Sequence, residues 1–270
     1  MSRTRLSTIA TLALAAVLLA GAPAGAQVLV QCPGDLNGDA IPDPFQFKGN
    51  GDPNPNQPNP DYDPNVQCMH LSGGDGFATM ADGRVQYIFS FADLTGIKDG
   101  DAANEDGDIS DDAMAAGALA AAWPAPTIVV DEGKEFYLTL TNVGMLIRPD
   151  LFDPHTVHFH GFPQSSSVFD GLPESGISIN MGASLTYYYK LNDPGTYMYH
   201  CHVEATEHMQ MGMLGNLYVR AAQSFAGDAG AGIPAGNLGQ GDGVCGTADD
   251  VAGVPCGYAY NDGDGSTGYD

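Results

Sequence analysis

Residues 184–203, SLTYYYKLNDPGTYMYHCHV, decide how this chain folds. Two runs rich in β-branched and aromatic residues flank an Asn-Asp-Pro-Gly break, and this pattern predicts strands. Along the second run successive side chains point to opposite faces, so His200 and His202 share one face and Cys201 takes the other. Working outward, VQYIFSF (85–91), TIVV (127–130), EFYLTLTNV (135–143), TVHFH (156–160), ISIN (177–180) and LGNLYVR (214–220) read the same way. They are short and separated by Gly, Pro, Asp and Asn. One helix-like piece, DDAMAAGALAAAW (111–123), is placed to cover an end of the sandwich. The expected fold class is all-β, with one domain and no repeat of its strand set.

The flanks differ in character. Residues 1–26 carry Arg3 and Arg5, an apolar run from Ile9 to Ala20, and small residues at Ala24-Gly25-Ala26. That is the pattern of a secretory signal, with a run too short for a membrane span, so the protein is expected in the periplasm or outside the cell. Residues 27–83 begin with a Pro/Asn/Asp/Gly-rich stretch and are read as an extension, 84–221 as the folded domain, and 222–270 as a Gly/Asp-rich tail. The formal charge of −24 excludes nucleic acid as a natural partner and favours cations over anions. Five cysteines cannot all pair in an oxidising compartment. Cys201, between two histidines, is the odd one out, and proximity favours Cys32–Cys68 and Cys245–Cys256. In DLNGDAIPD the side-chain oxygens of Asp35, Asn37, Asp39 and Asp43 have the alternate spacing of a calcium loop, and NEDGDISDD (104–112) is a looser match.

The chemistry lies in DPHTVHFHG (153–161) and YHCHVEATEHMQMGM (199–213). Strand alternation divides their ligands into two groups. His155, Cys201, His208 and Met213 form an inward group. His158, His160, His200 and His202 form an outward one. Two imidazoles and a thiolate with a weak axial thioether are the donor set of a blue-copper electron-transfer site, soft enough for cuprous and basic enough for cupric ion. Structural zinc takes tetrahedral sets at knuckle spacings, which are absent here.

These two segments resemble the H-x-x-H-x-H-G and H-C-H segments of multicopper oxidases, and APTIVVDEGKEFYLTLTN (125–142) resembles the opening strands of a cupredoxin domain. The resemblance covers roughly residues 84 to 220. It implies a cupredoxin-like Greek-key β-sandwich with type 1 copper on His155, Cys201 and His208 and Met213 as axial ligand. The interval from Cys201 to His208 is two residues longer than the family's, which we read as a longer loop. The resemblance further implies type 2 copper on His158 and type 3 copper on His160, His200 and His202. A trinuclear cluster of this family takes eight histidines from four His-x-His pairs, and this chain offers two pairs. It supplies half, and a two-fold homodimer, or an assembly of such dimers, closes the sum.

On this reading the protein is a copper oxidoreductase whose partners are dioxygen, a small reducing substrate or redox protein, and itself. Glu204 and Glu207 are the nearby candidates for relaying protons. His70, beside Cys68, is read as structural or incidental. A monomeric blue-copper electron carrier, which leaves the outer histidines without a task, and a periplasmic copper-binding or storage protein, supported by the acidity and the methionines, are the alternatives.

Overall fold

The computed structural model describes residues 28–100, 108–163, 165–225, 246–247 and 252–269. The signal expected over 1–26 and the first residues of NEDGDISDD lie outside them, as does Cys245 of the expected second disulfide; Cys256 is disulfide-bonded. No helix among the described residues is long and apolar enough to cross a membrane.

The chain runs through β1 (Phe45–Phe47), β2 (Pro53–Pro58), β3 (Val66–Thr79), β4 (Val85–Asp93), α1 (Ser110–Gly117), β5 (Ile128–Asp131), β6 (Glu135–Gly144) and β7 (His158–Phe159). It continues through β8 (Ser184–Lys190), β9 (Gly195–His200), α2 (Ala205–Met211), β10 (Leu214–Arg220), β11 (Gly257–Tyr258) and β12 (Gly268–Tyr269). Two four-stranded sheets, ordered β4-β3-β6-β8 and β5-β10-β9-β7, make the expected cupredoxin-like sandwich. One parallel pair occurs in each, β3 with β6 and β5 with β10, and the other neighbours are antiparallel. The segment quoted first crosses between the sheets: β8 pairs with β6, β9 pairs with β10 and β7, and the Asn-Asp-Pro-Gly break carries the chain over.

Alternation builds the core. Leu138 and Leu140 of β6, Tyr187 and Tyr189 of β8, Tyr199 of β9, and Leu217 and Val219 of β10 are all buried against Phe89 and Phe91 of β4. Each such side chain contributes about 1.5–3 kcal/mol by leaving water. The buried tyrosines need partners for their hydroxyls. Tyr199 donates to the Pro126 carbonyl at 2.6 Å, Tyr189 donates to that of Phe169 at 3.1 Å, and Tyr187 accepts from the Val157 amide at 3.1 Å.

Three expectations are corrected. The domain does not start at 84: β3, from the supposed extension, lies at the heart of its sheet between β4 and β6. Its sequence, VQCMHLSGGDGFAT, hides it, because glycines lower strand propensity yet are needed where other chain comes close. A Cβ on Gly73 would sit 2.7 Å from the His155 ring, and one on Gly76 3.1 Å from Ala121. ISIN forms a single bridge, Ile179 to His155, and the helix over 111–123 is the shorter α1. The tail packs back on the domain through Asn261, which donates to Glu132 Oε2, and within it Tyr258 donates its amide to Ser224 Oγ.

Cys32 and Cys68 are joined as expected, tying the N-terminal segment to β3. His70 is buried, 2.7 Å from Thr141 Oγ1, and burial holds its pKa down to about 4. With the bonded cysteines 36 positions apart in sequence, replacing both by Ser is expected to cost about 3–4 kcal/mol of stability. A guanidinium chloride titration of both proteins measures the loss.

Candidate metal centre

β9 ends at His200, and the chain passes through Cys201 while keeping one cross-strand contact, the Cys201 amide to the Met213 carbonyl at 3.3 Å. Alternation therefore persists past the strand's end. Cys201 is fully buried in the core, and it is the free cysteine among the described residues. On the partner β7, Phe159 enters the same core while His158 and His160 face out, and His158 stands opposite His200 in register.

The inward group converges. His155 is fixed by two backbone hydrogen bonds with Ile179, at 3.0 and 2.9 Å. Its Nδ1 lies 3.9 Å from Cys201 Sγ, and His208 Nδ1 lies 3.2 Å from the same sulfur. An ion bonded at about 2.0–2.3 Å to nitrogen and sulfur in a trigonal plane separates such atoms by about 3.5–4 Å, which the pocket meets with a small shift. The residues fit copper on chemistry as well. Both imidazoles are fully buried, and the Nε2 atom of each has no hydrogen-bond partner. Burial, with His208 adding to it, holds the His155 pKa down to about 3, so this imidazole is a neutral donor. His208 is lowered too, by burial, against the opposing pull of Asp153, Glu204 and Glu207. Burial pushes the Cys201 thiol up to about 11.

The seven-residue interval after Cys201 is occupied by α2, which carries His208 and ends at Gly212, whose φ of 134° a side chain would resist. Met213 follows, buried, with its amide on the His208 carbonyl at 2.9 Å. Phe89 packs edge-on against the His208 ring, with centroids 5.3 Å apart. Met211 turns elsewhere, lining a surface hollow with Tyr87 and Trp123.

The outward group also converges. Ligand nitrogens of His158, His160 and His200 lie within 4.8 Å of one another, and the Nε2 atoms of His160 and His200 are 2.7 Å apart. The His202 ring is 5.1 Å from that of His158. His158 donates Nδ1–H to the Asp170 carbonyl at 2.6 Å, and His200 donates Nδ1–H to the Cys201 carbonyl at 2.7 Å. Each thereby keeps its lone pair on Nε2, and that of His200 faces His160 Nε2. Burial lowers the His200 pKa, and the three neighbouring histidines lower it further.

The carboxylates read as proton relays are not at this outer face. The chain turns at Glu204, held in the left-handed region at φ 45°, and runs into α2 on the inner side. Glu204 groups there with Asp153 and His208, and Glu207 lies on α2 itself. Asp153 escaped the reading of the sequence, although an acid two residues before a ligand histidine was its signal; Asp170 and Gly73 gave none. In the loop of Asp35, Asn37, Asp39 and Asp43, the Asp35 carboxylate accepts from the amides of Asn37, Gly38 and Ala40, and Asp43 accepts from Leu36. Burial raises the pKa of Asp35 and of Asp43. These acids are not among the groups whose ligand atoms converge within 4.8 Å.

Two outcomes follow from the inner geometry. Copper loading at neutral pH is expected to release one proton, from the Cys201 thiol and none from His155, so apparent affinity rises about tenfold per pH unit until pH nears 11. Calorimetry in buffers of different ionisation enthalpy counts that proton. Gly73→Ala forces the His155 ring aside and is expected to cut blue-copper affinity by about tenfold or more, read from the charge-transfer absorption during titration.

A family model described as multicopper oxidase matches residues 106–224, the segment holding all eight candidate ligands. Multicopper oxidase MCE of Talaromyces pinophilus is 32% identical over 106 residues, covering 38% of this chain and 16% of that protein. Multicopper oxidase MmcO of Mycobacterium tuberculosis is 35% identical over 80 residues, covering 30% and 14%. The chain thus spans about one-sixth of the length of these curated relatives. Among solved structures, the blue copper oxidase of Nitrosomonas europaea is similar at 29% identity, with a TM-score of 0.41 over 57% of this chain and 38% of that one. Residues 106–224, which carry both ligand segments, are thus similar to a multicopper oxidase domain.

Proposed function

We propose that this chain is a subunit of a copper-dependent oxidase. Each copy holds a blue copper on His155, Cys201, His208 and Met213. Two copies meet across His158, His160, His200 and His202 to complete a trinuclear cluster that reduces dioxygen to water. The observation that carries this reading is the convergence of the outer imidazoles: ligand nitrogens of His158, His160 and His200 lie within 4.8 Å of one another, and the His202 ring packs 5.1 Å from that of His158. The other four come from a like face, and a two-fold axis presents the same patch on both partners.

Bound copper supplies the one-electron couple and the place where dioxygen takes up four electrons. The chain's own groups set the arrangement. The backbone joining Cys201 to His200 and His202 is the covalent link between the inner and outer faces. The Asp170 and Cys201 carbonyls fix the tautomers and ring planes of His158 and His200. The Cys32–Cys68 disulfide supports export to an oxidising compartment, periplasmic or extracellular. An electron carrier with one copper per chain leaves the outer imidazoles packed together with no role.

Copper-loaded protein is expected to hold ~2.5 coppers per chain, two blue and three cluster ions shared by two subunits, at a solution mass of a dimer or a multiple of it. A stable monomer with one copper sinks the proposal. His158→Ala and His202→Ala are each expected to abolish oxygen consumption while preserving the blue absorption, measured with an oxygen electrode and by visible spectroscopy.

A further inference from the structure

A cleft of about 370 Å³ lies where the start of β9 and the end of β10 meet the C-terminal β11–β12 pair. The sheet contributes Thr196, Tyr218 and Arg220, with Thr196 and Tyr218 opposite each other in register. The C-terminal segment contributes Tyr258, Tyr260 and Tyr269. Tyr218, Tyr260 and Tyr269 are 38, 54 and 42% exposed, so the cleft is open to solvent. Its volume falls within the ~300–1,000 Å³ of small-ligand sites. Thr196 precedes His200 by four residues of extended chain, about 13 Å, so the cleft is separate from both donor sets.

The local sequence sets the rings in place. Tyr269 pairs with Gly257, and a Cβ on that glycine would stand 2.5 Å from the Tyr269 hydroxyl, so only glycine lets the ring lie across the neighbouring strand. The tyrosines here differ from those of the core. Tyr187, Tyr189 and Tyr199 each commit the hydroxyl to a backbone partner, whereas the hydroxyls of Tyr218, Tyr260 and Tyr269 make no hydrogen bond to a described residue. Each therefore presents an apolar ring face and a hydroxyl able both to donate and to accept. The charged member of the lining is already engaged: Arg220 Nε donates to Asp131 Oδ1 at 2.7 Å, and the guanidinium lies 5.1 Å from the centre of the Phe225 ring. An anion thus finds a cation that is already neutralised. A cation finds no carboxylate among the described residues lining the cleft, in a chain with 33 acidic residues.

We propose that this cleft binds a neutral saccharide, a short stretch of polysaccharide chain. The C–H faces of its sugar rings pack on the tyrosine rings, and its hydroxyls exchange hydrogen bonds with Tyr218, Tyr260, Tyr269 and Thr196. A sugar needs flat apolar faces interspersed with hydroxyls, and tyrosine supplies both in one stiff side chain that loses little freedom on binding. A simple phenol would use the ring faces and leave most of the hydroxyls unpaired. A quaternary ammonium ion would be drawn to the rings, but it would meet the Arg220 guanidinium with no lining carboxylate to offset it. The consequence is attachment: the protein is held on a polysaccharide by one end of its second sheet. This goes beyond the oxidase reading and does not depend on it.

Native electrophoresis of the full chain through gels holding mixed-linkage β-glucan, arabinoxylan, galactomannan or soluble starch tests this, because a neutral polymer retards a protein that binds it without changing its charge. Retardation by at least one of the four is expected. The dissociation constant, read from mobility against polymer concentration, is expected to rise at least about tenfold in the Tyr218→Ala/Tyr260→Ala double variant. Circular dichroism checks that the variant is folded. Tyr260→Ala alone, at the most exposed of these rings, is expected to weaken binding several-fold and decides the matter if the double variant unfolds. Unchanged mobility of the native protein in all four gels overturns the proposal, and calorimetry with choline and with a methoxyphenol then shows whether a cation or an aromatic ring takes the cleft instead. Retardation that survives undiminished in the folded variants overturns it too.

Discussion

The strict two-residue alternation of an extended backbone around Cys201 is the constraint on which everything else depends. It sends the thiol into a dry core and holds His200 and His202 on the opposite face, one residue away on either side. A slip of one residue would bury two imidazoles among Leu and Tyr side chains and expose the thiol. The register is pinned on both flanks, by Leu214 opposite His200 on β10 and by His158 opposite His200 on β7. The same alternation on β7 puts Phe159 in the core and His158 outside. Two donor sets of different character thus meet at one strand pair, with His208 of the inner set supplied by α2.

Burial then tunes the inner set for metal. Both imidazoles are neutral by desolvation, and the thiol is reluctant to ionise until an ion takes its proton's place. The three donors are fully buried and the Nε2 atoms of both imidazoles lack hydrogen-bond partners, which costs stability until something satisfies them. Metal binding and stability are coupled for that reason. The outer set differs: His160 is exposed and His158 and His202 are half-buried. His200 lies buried beneath them.

The donors and strands were legible because their signals are local. Alternation, β-branched runs and ligand spacing are all read within a dozen residues, and they located β4 to β6, β8 to β10 and both ligand groups. What escaped depended on contacts distant in sequence. β3 reads as coil because Gly73 and Gly76 look like breakers until the His155 ring and Ala121 are seen pressed against them. The helix α2 was hidden in a loop of mixed polar residues and methionines that only packing against β4 makes helical. Counting along a strand predicts facing only while the chain stays extended, and it stops being extended at Glu204.

For the blue copper proposed above, the close approach of Gly73 to the His155 ring has a consequence for electron transfer. With β3 behind one imidazole, Phe89 edge-on to the other, and Ile179 bridged to the His155 backbone, neither inner ring has room to swing. Cuprous and cupric ions prefer different arrangements of their donors, and a site that relaxed to suit each would add that rearrangement to the barrier of every electron exchanged. Close packing of this kind resists compression and rotation alike. It offers both oxidation states one compromise geometry and so keeps the reorganisation energy small. A glycine in a strand that contributes no ligand thereby helps set how fast the centre can turn over.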